Sequence, residues 1–146
     1  RITRFFGLPI LFFLLLPDQQ VFAQSRSLEA VKVAQPPKID GNLDDKAWAN
    51  VTPATSFIQN FPTYGIGAFV RSEVKVIYDN SSIYIGAYLF DDPAQIRKQI
   101  TARDGEGQAD VDYFSVFLDT YNDHQNGYQF LVTTANVQTD ARIGPN

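Results

Sequence analysis

The sequence predicts an all-β domain built as an antiparallel β-sandwich, immunoglobulin- or jelly-roll-like in architecture. From Ser56 onward, apolar residues recur at every second position, the period of a strand with two distinct faces. Turn residues separate the alternating runs, as at Asp79-Asn80-Ser81-Ser82 and Asn122 to Asn126. Helical periodicity is confined to short pieces. Several short strands with turns between them and little helix are the pattern of a sandwich.

In chain order, Arg1 and Arg4 precede an apolar run from Phe5 to Leu16, and Val21-Phe22-Ala23 follows Pro17. A basic start, a short apolar core and small residues before the break describe a signal peptide over residues 1–23. The run falls short of the roughly 20 apolar residues that span a bilayer. An exported protein follows, destined for the periplasm, the outer membrane or the extracellular space; an N-terminal membrane anchor is the alternative reading of the same run. Residues 24–35 read as a polar leader. The remaining residues, 36–146, are enough for one domain with a core and too few for two.

Pro36-Pro37 gives a stiff, extended lead-in, and Asp40-Gly41 is a turn signal. Residues 44–50 predict a short helix near the N-terminus, with acids in its first turn and Trp48 as its apolar contact. Strands are expected over residues 73–79 and 83–90. The second carries apolar residues on both faces and reads as central and covered on both sides. Asp92-Pro93 has the form of an N-cap followed by proline at the first helical position, predicting a short helix over 93–98. An acidic, glycine-bearing loop spans residues 102–110. Strands follow over 112–121, 127–134 and, more weakly, 137–143.

Charge and composition exclude several functions. Loss of residues 1–23 removes two arginines and one aspartate, taking the net charge from −4 to −5. An acidic domain has no electrostatic footprint for nucleic acid. There are no cysteines, so an exported fold is stabilised by its core rather than by disulfides. His124 is the single histidine, which leaves no histidine-rich metal site and no credible Ser/His/Asp triad. A glycosidase needs two carboxylates roughly 5–9.5 Å apart; no pair of acids stands out, so the domain itself reads as non-catalytic.

The segment Pro37-Lys38-Ile39-Asp40-Gly41-Asn42-Leu43-Asp44-Asp45-Lys46-Ala47-Trp48 resembles the start of family 9 carbohydrate-binding modules. Val74 to Asp79, Ile83 to Gly86, Arg103-Asp104, Asp110 to Asp119 and Asn126 to Phe130 continue the likeness in the family's order. The resemblance implies an exported β-sandwich that binds a poly- or oligosaccharide in carbohydrate catabolism. It also implies attachment to a larger protein, such as a hydrolase acting on O-glycosyl bonds, and further C-terminal strands missing beyond Asn146. Asp119-Thr120-Tyr121 with Asn126-Gly127-Tyr128 is similar to a bacterial subgroup in which the module precedes a C-terminal outer-membrane barrel region. A structural periplasmic or surface module without a sugar site is the alternative this subgroup implies. Unlike the family, which uses tryptophan among its sugar-holding aromatics, this chain has none after Trp48.

Sugar binding needs flat rings for the C–H faces of a pyranose and planar polar groups for its hydroxyls. Tyr113, Tyr121 and Tyr128 fall near strand ends close to Arg103, Asp112 and Gln129, and these six residues are the expected platform. The competing reading packs the tyrosines in the core with their hydroxyls at the rim. Trp48 reads as a core plug. Asp104, Glu106 and Asp110 place oxygens at intervals in a flexible loop, a donor set that suits calcium. The glycine spacing is not that of an EF-hand, and a solvated acidic loop explains the same residues.

Overall fold

The computed structural model describes residues 26–105 and 110–145. They form two three-stranded sheets. The first holds β1 (Val31–Lys32), β2 (Ser72–Tyr78) and β3 (Ile83–Leu89), in that order. The second holds β4 (Tyr113–Leu118), β5 (Gly127–Thr133) and β6 (Gln138–Ile143). The chain is thus nearly all β, as the alternation predicts; four of its strands lie within a residue of their expected bounds, and the one expected over 112–121 ends at Leu118, three residues early.

β1 falls inside the segment read as a leader. It pairs parallel to β2, with Val31 opposite Ile77 and Lys32 opposite Tyr78. Among the described residues this is the one parallel pairing, the other ladders being antiparallel. Its two residues are too few to show a period, so the sequence gives no sign of it.

Neither expected helix forms. Over residues 44–50 there is a single 3-10 turn, Lys46–Trp48, closed by Trp48 N–H to Asp45 O and Ala49 N–H to Lys46 O. The Asp45 carboxylate does not cap this turn; its Oδ2 accepts the Lys38 backbone N–H at 2.9 Å and pins the proline lead-in. Over 93–98, Asp92 does accept the Ala94 N–H at 3.0 Å. The chain then leaves the turn, because the Arg97 N–H goes to the Asp112 carboxylate and Lys98 bridges Val111.

The core lies on one face of the first sheet. Trp48, Val51 and Ile77 are buried together, with Val33, Leu43, Ala47 and Tyr84 packed around them. Lys75 Nζ donates to the Trp48 carbonyl at 2.9 Å, tying the turn to β2. Gly86 allows this packing: a Cβ there would lie 2.5 Å from Leu43 Cδ2 and 3.2 Å from Trp48 Cη2. β2 is the central strand. β3, expected to be covered on both faces, is the edge of its sheet among the described residues, and Ile83, Tyr88 and Leu89 are exposed.

The opposite face of the first sheet turns Ile83 and Ile85 towards Phe114, Val116 and Leu118 of the second. Between them runs an open apolar cleft, with cavities of about 570 and 660 Å³ along its length.

Candidate functional site

The β4–β5 hairpin presents the best-organised polar loop. Asp119 accepts backbone N–H groups from Tyr121 (3.2 Å), Asp123 (3.3 Å) and His124 (2.9 Å). Asp123 accepts those of Gln125 (2.9 Å) and Asn126 (2.8 Å), and the Asn126 side-chain amide at 2.7 Å. These bonds favour the charged carboxylates. The His124 N–H is the main cause of the lowered Asp119 pKa, and the Asn126 side chain of the lowered Asp123 pKa. Asn122 and His124 adopt positive φ, 53° and 56°, which the Asx-type bonding supports. Gly127 closes the hairpin, since a Cβ there would meet the Leu118 carbonyl at 2.8 Å.

This wired turn holds Tyr121 out into solvent, 70 % exposed. Tyr128 comes to the same end of the sheet, opposite Leu118 on β4 and Arg142 on β6. The two tyrosines, the arginine and the backbone of a fixed turn thus share one end of the second sheet.

The rest of the expected platform is dispersed. Tyr113 pairs with Thr133 at the far end of β4, about 17 Å away at strand rise. Strand alternation also puts it on the opposite face from Tyr128. Gln129 lies on the Tyr113 face, where its Nε2 donates to Ser115 Oγ at 3.0 Å. Asp112 is structural: its Oδ2 accepts from Arg97 N–H at 2.9 Å, and its carbonyl accepts from Thr134 N–H. Arg103 is bound to Asp140 of β6 and lies 3.8 Å from Asp104. The sequence places these six residues close in number; the pleat divides them between two faces and two ends.

Of the expected calcium donors, Asp104 faces Arg103, and Asp110 is bonded to Arg97 Nη1 at 3.0 Å. Glu106 lies outside the described residues. Among the described residues no three acids or histidines are grouped to hold a metal.

A second feature was not read from the sequence. Residues 57–68 fold back as a small hairpin, with Ile58 bridged to Gly67 and with Gln59 N–H to Ile66 O, Gly65 N–H to Gln59 O and Ala68 N–H to Phe57 O. Its rings stand in solvent: Phe61 is 84 % exposed, Tyr64 78 % and the adjoining Phe69 84 %. The signal in the sequence is the lack of any charged residue from Ala47 to Val70, in a chain that is 19 % charged.

Comparison with protein-family models, with curated proteins and with solved structures finds no match.

Proposed function

We propose that this domain is a non-catalytic carbohydrate-binding module of the β-sandwich type, resembling family 9 modules, carried on a larger exported protein. The observation that supports it is Tyr121, an exposed ring on a turn fixed by six side-chain-to-loop hydrogen bonds from Asp119 and Asp123. A rigid aromatic loses little entropy on meeting a sugar ring, so its contact is productive. Tyr121 stacks on a pyranose face, Tyr128 extends the surface, and Arg142 with Asn126 offers donors to hydroxyls. The cleft between the two sheets is the inner layer of the sandwich. Calcium at Asp104, Glu106 and Asp110 would have to displace Arg103 and Arg97 from the first and last of those carboxylates. Calorimetric titration of the chain with a panel of oligosaccharides, with and without calcium, tests this reading; heat with none of the glycans in either condition rejects it.

A second reading, a structural periplasmic or surface module with no sugar site, is favoured by the cleft. Ile83, Leu89 and Phe130 are exposed beside it, a surface suited to packing against protein.

A further inference from the structure

We infer that the hairpin at residues 57–70 is a docking element for the surface of a neutral, zwitterionic bilayer, separate from the sugar-binding hairpin at 119–128. Three independent observations converge on it.

Phe61, Tyr64 and Phe69 are exposed, and the only ring pair among the described residues is Tyr88 with Phe90, elsewhere in the fold. The three rings therefore stand apart instead of forming one slot. Separate apolar projections suit a fluid acyl boundary, into which each side chain can sink independently; a sugar ring calls for a shaped platform flanked by polar groups.

The hairpin also carries no charge to desolvate. Three main-chain bonds join its arms, and at the tip Gln59 Nε2 donates to the Phe61 carbonyl at 2.7 Å. Pro62 has no N–H to satisfy.

Charge then begins at the base. Arg26 donates to the Ser56 carbonyl, and the Arg71 guanidinium sits 4.6 Å from the Phe90 ring centroid and pairs with Glu73. Both arginines line one hollow of about 860 Å³ behind the hairpin, together with Glu73. Two guanidinium groups and one carboxylate beneath uncharged apolar tips match the depth order of a zwitterionic headgroup layer: acyl boundary outermost, phosphate next. The chain's net charge of −4 makes a neutral bilayer the favoured surface over an anionic one.

The test is flotation of the full chain with phosphatidylcholine vesicles, beside the double variant F61S/F69S. Any contribution of residues 5–16 is common to both. The expected result is vesicle binding by the parent chain and a loss of at least about tenfold in the variant, from the transfer of two phenyl groups. Thermal unfolding should be unchanged, because neither ring is buried. A second measurement places the contact. In F61W the new indole should be quenched by bromine-labelled phosphatidylcholine, while the buried Trp48 gives only a constant background. Equal binding by parent and F61S/F69S, or no quenching in F61W, overturns the proposal. So does binding of F61S/F69S-sensitive oligosaccharide or protein in place of vesicles. Sugar binding lost in a Tyr121 variant but kept in F61S/F69S bears on the other hairpin alone.

Discussion

Asp119 and His124 meet twice within one turn: the His124 backbone N–H donates to Asp119 Oδ2 at 2.9 Å, and the imidazole Nδ1 lies 3.6 Å from the same oxygen. The backbone bond does not depend on the state of the ring. D119N keeps the shape of the side chain but replaces an ionic acceptor shared by three N–H groups with a neutral one. The hairpin should loosen, and hydrogen exchange at the amides of Asp123 and His124 should accelerate at pH 7 while β2 and β3 are unaffected.

Acid should weaken the fold between pH 4 and pH 2. Asp79 accepts from Ser81 N–H, Ser82 N–H and the Tyr84 hydroxyl, and bonding led by the Ser81 N–H lowers its pKa from 3.8 to about 2. A depressed folded-state pKa gives stabilisation that is complete above the unfolded value and vanishes as pH falls through the folded one. Asp119 and Asp123 shift in the same direction. Urea midpoints of the parent chain should therefore fall steeply from pH 4 to pH 2, and D79N should show a shallower fall from a lower starting point at pH 7.

Two glycines should respond differently to alanine. At Gly86 the nearest obstruction is the far end of Leu43, which can swing aside, leaving a tight contact of 3.2 Å to Trp48 Cη2. At Gly127 it is the Leu118 carbonyl, held in the β4–β5 ladder. We expect G127A to cost roughly 2–3 kcal/mol and G86A about 1 kcal/mol in denaturant unfolding. Trp48→Ala, which empties the centre of the core, should cost roughly 3–5 kcal/mol.

Sugar binding should divide by sheet end. Y121A and Y128A should each weaken binding of whichever oligosaccharide the chain takes up, by about tenfold for a stacking ring, with little change in melting temperature. Y113A, at the other end and on the other face, should leave affinity unchanged in the same titration.

The strands were legible because runs of β-forming residues are bounded by turns, but the alternation did not pick the core face: in β2 the fully buried residue is Ile77, on the face opposite Val74 and Val76. The turns at Asp79 and at Asn122 to Asn126 were legible from residue type. The helices were not: Asp45 reaches the Lys38 amide instead of the turn, and although Asp92 does accept the Ala94 N–H, Asp112 takes the Arg97 amide and draws the chain away. The tyrosine platform was only half legible. Nearness in number brought Tyr121 and Tyr128 to one end, but the expectation overlooked that Tyr113 and Tyr128 fall on opposite faces of the pleat. The 57–70 hairpin was missed because its signal is an absence of charge, not a motif.

The pinned turns bear on the order of assembly. Asp79 and Asp119 close their hairpins through bonds two to five residues apart, so β2–β3 and β4–β5 can each form while the rest of the chain is still searching. β1 must cross 46 residues to find β2 and gains two paired residues for that closure. It should be the last strand to zip and the first to fray, and a protease added under native conditions should nick the chain ahead of Val33 long before it opens either hairpin.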